Sequence, residues 1–95
     1  MFNTVKDIKR LAADVGYHWF EPATMRYFGS RVGSKVYGGQ YFISSEQYFH
    51  TEPRLYTIRK VTYSDGRMEI DTVGEFQQYA TRAEAEAAIK QITNQ

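Results

Sequence analysis

Two histidines and a short run of hydroxyl and carboxyl groups are the side chains that could support acid–base or nucleophilic chemistry. His18 and His50 lie far apart in the chain, and neither has a carboxylate at the spacing of a catalytic triad or a metal site. The run Ser44-Ser45-Glu46 places hydroxyl groups beside an acid, but it lacks the Gly-x-Ser-x-Gly frame that exposes a nucleophilic serine. We expect the histidines to lie in an aromatic cluster and a loop, and the run to provide strand-end polar groups.

A glycine-rich stretch at residues 33–39 spaces two glycines as a phosphate-binding loop does. The lysine and hydroxyl residue that such a loop requires are absent, because Gln40 follows Gly39. A hairpin turn therefore explains these glycines better.

The chain also contains no cysteine, which excludes thiolate chemistry, disulfides and sulfur metal sites. The sequence thus predicts a protein that is not an enzyme and that needs no metal or cofactor.

Aromatic rings and arginines are the more informative residues. Eight tyrosines, six phenylalanines and one tryptophan are more than the core of a 95-residue chain can hide completely. Tyrosine and arginine anchor protein interfaces, because each buries a large area and keeps a polar end. We expect Tyr37→Ala, Tyr41→Ala or Arg31→Ala to weaken partner binding without unfolding the chain. The predicted partner-binding residues are Arg26, Arg31, Lys35, Tyr37, Tyr41, Tyr48, Phe49, Arg54 and Tyr56.

The charge distribution keeps nucleic-acid binding open as an alternative. The formal net charge is only +1, which is small for a nonspecific nucleic-acid binder. However, residues 22–60 carry six basic and two acidic side chains, and residues 61–95 carry three basic and six acidic ones. The alternative function is therefore a small RNA- or DNA-binding regulator that uses the basic aromatic face of residues 22–60. The chain does not match the double-stranded RNA-binding domain, because residues 81–86 contain two glutamates, which repel phosphate, where that domain needs a lysine cluster.

The elements that position these residues begin and end with helices. Thr4 and Gly16 suit the two ends of a first helix, in which Val5, Ile8 and Ala12 recur at helical spacing. Residues 21–28 predict a short second helix, with Met25 and Phe28 facing inward together. Thr81 and Glu84 form a capping-box pattern at the start of the last helix.

Strand patterns fill the middle of the chain. Residues 31–37 predict a weak strand, Gly38-Gly39 a turn and residues 40–47 a better strand. Residues 55–72 predict a hairpin around Asp65-Gly66, a strong type I′ turn signal. In that register Tyr56 and Ile58 share the Lys60 face, so either a bulge lies near Arg59 or both faces of the sheet are partly covered.

These elements predict one α+β domain over residues 1–95. Its antiparallel sheet has three to four strands and is packed by an N-terminal and a C-terminal helix, in the order α-α-β-β-β-β-α, with the helices expected on one sheet face. The apolar runs are too short for a membrane span, and the N-terminus lacks a signal-peptide pattern. We therefore expect a cytoplasmic protein without membrane attachment, and the oligomeric state stays open.

Four strings of the chain resemble a family of small proteins encoded by bacteriophages and prophages. They cover residues 22–32, 39–47, 56–59 and 72–81, and the similarity extends from about residue 17 to residue 92. The resemblance implies no activity and no functional residue. It implies a context in which small cysteine-free phage proteins act as stoichiometric inhibitors of host defence, of the anti-CRISPR or anti-restriction type. On that basis the expected partner is a bacterial host protein in a defence complex, and the expected mechanism is steric inhibition in the host cytoplasm.

Overall fold

The computed structural model describes residues 1–93, which form three α-helices and a four-stranded antiparallel sheet. The strands lie side by side in chain order, from β1 at one edge to β4 at the other. This arrangement confirms the predicted α+β class, with helices at both ends of the chain. The elements are α1 (Val5–Val15), a 3₁₀ turn (His18–Phe20), α2 (Pro22–Tyr27), β1 (Ser30–Val32), β2 (Tyr41–Glu46), β3 (Leu55–Ser64), β4 (Arg67–Val73) and α3 (Arg82–Thr93).

The predicted helix caps are present at both terminal helices. The Asp7 amide donates to the Thr4 hydroxyl, and the Asp7 carboxylate accepts from the Thr4 amide in return. Gly16 ends α1 in the left-handed conformation, with φ of 75°. At α3 the Glu84 amide donates to the Thr81 hydroxyl at 3.1 Å. Local hydrogen bonding therefore sets these helix ends, as the sequence predicts.

The β3–β4 hairpin has the predicted register. Asp65 and Gly66 form the turn, both with positive φ, and Val61 faces Ile70 across the strands. The register continues without interruption from Ile58 to Ser64, so Arg59 does not lie at a bulge. Of the two alternatives that the sequence left open, coverage of both sheet faces is therefore the one that occurs.

The two terminal helices lie on opposite faces of the sheet, so the expectation of a single covered face was wrong. Phe42 of β2 packs with Ile8 of α1, whereas its neighbour Ile43 packs with Ile89 of α3. Successive residues of a strand point to opposite faces, so these contacts define two cores. The connection before the last helix changes face, since Phe76 contacts Arg59 on the α1 side whereas Tyr79 packs against the core that α3 covers.

The strand predicted over residues 31–37 is much shorter in the structure. It covers only Ser30–Val32, where Val32 pairs with Ser44 of β2. Beyond that point the carbonyl of Ser34 accepts from the amide of Val5, so the backbone bonds to the start of α1 instead of continuing along β2. The predicted Gly38-Gly39 turn is present, and both of its glycines have positive φ.

Gly29 joins α2 to β1, and we expect Gly29→Ala to lower the free energy of unfolding by about 2–4 kcal/mol. Its φ is +61°, and an added Cβ would lie 2.3 Å from the carbonyl oxygen of Gln47, a backbone atom with little freedom to move. Gly16→Ala is the control, because that position has a similar φ of +75° and nothing within 4 Å. In urea denaturation, Gly16→Ala should lower the free energy of unfolding by only about 1 kcal/mol. Equal losses at the two positions would contradict this account.

Candidate functional site

A cavity of about 160 Å³ opens between the N-terminal helices and the polar end of the sheet. Its walls combine three aromatic rings and a methionine with a guanidinium group and two hydroxyl groups. Ligand pockets in proteins have this composition, a mostly apolar lining with a few convergent polar groups. The lining residues are Trp19, Thr24, Met25, Phe28, Ser30, Arg59 and Phe76.

Trp19 is placed in the cavity wall by packing against the sheet. The 3₁₀ turn stacks its ring edge-on against Phe20, with ring centroids 4.8 Å apart, and against the buried Phe42, at 5.7 Å. Edge-to-face ring pairs at these distances add to the gain from burial. The 3₁₀ turn also lies against α2, and Met25 of that helix and Phe28, the residue after it, line the cavity.

A buried carboxylate that accepts three hydrogen bonds lies at the base of the cavity region. Glu46 is fully buried, and it accepts from the Thr57 hydroxyl at 2.8 Å, the Ser30 hydroxyl at 3.2 Å and a guanidinium nitrogen of Arg59 at 3.3 Å. A buried charge is tolerated only when it is paired and hydrogen-bonded in this way. The network therefore fixes the polar end of the sheet face against which α2 packs.

Arg59 links this network to the cavity. Its Nε donates to Ser44 at 2.9 Å, its Nη1 donates to Thr72 at 2.6 Å, and its Nη2 makes the bond to Glu46. A guanidinium group carries five N–H donors, so three of the five are used by Ser44, Thr72 and Glu46. Because Glu46 offsets the charge of Arg59, the cavity is close to electrically neutral.

Two rings of the cavity also contact the guanidinium group of Arg59. Its central carbon lies 5.4 Å from the ring centre of Trp19 and 5.5 Å from that of Phe76. Phe76 is held there by its neighbour Gln77, whose amide donates to Thr57 and whose side chain donates to the carbonyl of Glu46. The connection between β4 and α3 is thereby fixed to the buried network.

Exposed rings surround the mouth of the cavity. Tyr27 is 78% exposed and packs edge-on against Phe28, with centroids 4.9 Å apart. Tyr48 is 50% exposed and lies 6.3 Å from Phe76, while Phe28 and Phe76 are each 41% exposed. We call these four residues the aromatic rim. Phe49, next to Tyr48 in the chain, is 65% exposed, so several large rings face solvent at this end of the molecule.

A second depression, of about 410 Å³, adjoins the cavity and is lined by three arginines. Arg26, Arg31 and Arg54 line it, and we call it the arginine groove. Met25 and Ser30 belong to the walls of both depressions, so the two lie side by side. Within residues 1–93 the one ion pair joins Arg59 to Glu46, so the charges of the arginine groove have no carboxylate partner in the described chain.

The structure brings together about half of the predicted partner-binding residues. Arg26, Arg31 and Arg54 share the arginine groove, Tyr48 belongs to the aromatic rim, and Phe49 follows Tyr48 in the chain and is exposed. Arg54 also has an internal role, since it donates to the carbonyl groups of two other segments. Partner binding by these five residues stays a prediction.

The other predicted partner-binding residues lie elsewhere. Tyr37 is buried, and Tyr41 and Tyr56 are half-buried against the core that α3 covers. Lys35 is exposed, and its ammonium group lies 4.9 Å from the ring centre of Tyr37. Tyr37→Ala therefore removes part of the core, so the expectation that this change leaves the fold intact does not agree with the structure.

Tyr37 ties the chain before β2 to α3, and its titration should show this. Burial, then the hydrogen bond that its hydroxyl donates to Glu86, raises the pKa of Tyr37 from 10.0 to about 12. That bond also lowers the pKa of Glu86. The folded chain therefore holds the Tyr37 proton more tightly than the unfolded chain does. The resulting contribution to the free energy of unfolding is complete at pH values below the unfolded pKa of tyrosine, and it is lost as the pH rises through about 12.

We expect ultraviolet absorbance to show a tyrosine ionising near pH 12 that is missing in Tyr37→Phe. The stability difference between this variant and the natural chain should shrink over the same pH range. It should also shrink in acid, as Glu86 takes up its proton at a pH below its usual range. An unchanged ultraviolet titration in Tyr37→Phe would contradict the assignment.

The sequence interpretation missed the cavity. Phe28 was expected to be inward-facing like Met25; both line the cavity, but Phe28 remains partly exposed. The one available signal was a polar pattern on adjacent strands, where Ser44 and Glu46 alternate on β2 and pair with β3. Alternating polar residues on two neighbouring strands indicate a polar patch on one face.

The groups first considered for catalysis have structural partners or lie at the surface. Ser44 accepts from Arg59, and Ser45 accepts from Arg54 at 3.0 Å. His18 and His50 are exposed, on different segments. Residues 1–93 hold no cluster of three or more metal-ligating side chains. No helix among them is long and apolar enough to cross a membrane.

Fold and site together define an α+β protein whose antiparallel sheet lies between helices and carries an aromatic cavity beside an arginine groove. The chain belongs to a family of unknown function (DUF7447), whose model matches residues 4–90. The match covers every helix and strand, except that the last residues of α3 extend beyond it. No curated protein and no solved structure gives a significant match.

Proposed function

We propose that this chain is a binding protein without catalytic activity, which attaches to a partner protein through the aromatic rim and blocks the partner's surface. The observation that carries the proposal is the set of exposed rings around a preformed cavity. Exposed aromatic clusters beside a pocket are typical of interface hot spots, where a side chain of one protein enters a recess of the other.

The biological setting of the proposal comes from the resemblance to bacteriophage and prophage proteins. In that setting the partner is a bacterial host protein in the cytoplasm, and a component of antiviral defence is the favoured target. Steric inhibition needs only a rigid surface of complementary shape. The hydrogen-bonded network around Glu46 supports such rigidity, since it fixes the sheet beneath the cavity.

Nucleic-acid binding is the second candidate, and the arginine groove is the observation that favours it. Arginines and stacking rings are the groups that bind single strands. Against it, the net charge of the chain is only +1, and the exposed carboxylates of Glu52 and Glu75 lie close in the chain to the exposed rings Phe49 and Phe76.

The test is a comparative pull-down from bacterial lysate with the natural chain, Tyr27→Ala and a matched control. Tyr63→Ala is that control, because Tyr63 is also exposed but lies near the β3–β4 turn, far along the strand from Arg59. We expect Tyr27→Ala to weaken capture of a specific protein by about 30-fold, the effect of one hot-spot residue, and Tyr63→Ala to leave it unchanged. Equal capture by both variants, or recovery of nuclease-sensitive material only, would contradict the proposal.

A further inference from the structure

The cavity and the arginine groove together specify the chemistry of a partner segment. We infer that they bind an acidic stretch of the partner protein that carries one aromatic side chain, with the ring in the cavity and the carboxylates in the groove. This inference rests on the protein-binding function proposed above.

The size and lining of the cavity favour a single ring. Its volume is about 160 Å³, and a dry apolar cavity of about 150 Å³ is known to accept benzene. Trp19, Phe28 and Phe76 offer ring edges and faces to an aromatic guest. An unbranched aliphatic chain would use fewer of these contacts.

The charge of the groove favours carboxylates. Arg26 and Arg31 are exposed and have no acidic partner in the described chain, and Arg54 points one nitrogen to backbone carbonyls and keeps its other donors. Guanidinium groups bind carboxylates through paired hydrogen bonds. Three such groups in one groove are matched by two or three acidic side chains.

Because the cavity and the arginine groove are neighbours, one short segment of the partner protein can supply both the aromatic ring and the acidic side chains. Because Met25 and Ser30 line both, a ring in the cavity lies close to acidic residues next to it in the partner chain. The charge is also one-sided: three arginines line the groove, whereas the one charged side chain that lines the cavity, Arg59, is paired with Glu46. This asymmetry fits a short acidic stretch better than a uniformly charged phosphate polymer.

The experiment is a selection from a random-peptide display library against the natural chain, with Arg31→Glu as counter-selection. We expect enriched peptides to contain an aromatic residue beside at least two acidic residues. A basic or purely aliphatic consensus, or enrichment equal to that on Arg31→Glu, overturns the inference. In that case the lysate capture still decides the proposed function: loss of capture in Tyr27→Ala upholds it, and undiminished capture ends it.

Binding is then measured with a synthetic peptide from that selection. Trp19 is the single tryptophan of the chain and lines the cavity, so its fluorescence reports occupancy directly. We expect Arg31→Glu to weaken binding about tenfold or more, and a peptide with lysines in place of its acids to bind this variant better than it binds the natural chain. Arg10→Glu, the same charge change on exposed α1, should have no effect. Tighter binding of a single-stranded oligonucleotide than of the peptide at physiological salt would overturn the inference.

Discussion

Replacing Glu46 with alanine is expected to lower the free energy of unfolding by about 3–5 kcal/mol, because the change leaves the guanidinium group of Arg59 buried without its counter-charge. It also removes the acceptor of the Thr57 and Ser30 hydroxyl groups. A small domain has a total stability of about 5–15 kcal/mol, so this loss is a large fraction of it. Urea denaturation followed by far-ultraviolet circular dichroism measures it.

Two further variants separate the buried charge from the lost packing. Glu46→Gln keeps an acceptor of the same shape and should cost less than Glu46→Ala. The double variant Glu46→Leu with Arg59→Met replaces both charges by apolar groups and should recover much of the loss, as seen when buried ion pairs are exchanged for well-packed residues. A loss below about 1 kcal/mol in Glu46→Ala would contradict the role assigned to this carboxylate.

Replacing Phe42 with alanine is expected to cost about 3–5 kcal/mol, from lost burial and the cavity left behind. Phe42 is fully buried, and the rings of Trp19 and Phe20 pack on it at 5.7 and 6.0 Å. Its loss should also free Trp19, so the tryptophan emission should shift to longer wavelength while the chain is still folded. Chemical denaturation and fluorescence spectra are the two measurements.

Phe42→Leu is the matched control, because it keeps most of the apolar volume and should cost about 1–2 kcal/mol. Trp19 should keep its emission in that variant. If Phe42→Ala destabilised the chain without any change in the surroundings of Trp19, the packing of the 3₁₀ turn on the sheet would not be what positions the cavity wall.

The parts of the fold that could be predicted are those set by local chemistry. The Thr4 cap, the left-handed Gly16 and the Asp65-Gly66 turn each depend on a few adjacent residues, and all three occur as expected. The hairpin register followed from that turn. The placement of α3 could not be predicted in this way, because which face a helix covers depends on the path of the connection before it.

The candidate site was only partly predictable for the same reason. The residue types alone predicted arginines and aromatic rings of residues 26–54 as partner-binding groups. Three of these arginines line the arginine groove, and Tyr48 belongs to the aromatic rim. Phe76 and Arg59, however, come to the cavity from segments distant in sequence, and Gln77 holds Phe76 there by bonds to β2 and β3. Tyr37 shows the opposite failure, since an interface-type residue is used to join the chain before β2 to α3.

The most direct test of the proposed binding surface is site-specific photo-crosslinking in bacterial cells. A photoreactive amino acid is placed at position 27 in the aromatic rim or at position 63 near the hairpin turn, both of which are exposed tyrosines in the natural chain. We expect a covalent adduct to one host protein from position 27 and none from position 63. Adducts from position 63 alone, or adducts to nucleic acid from position 27, would contradict it.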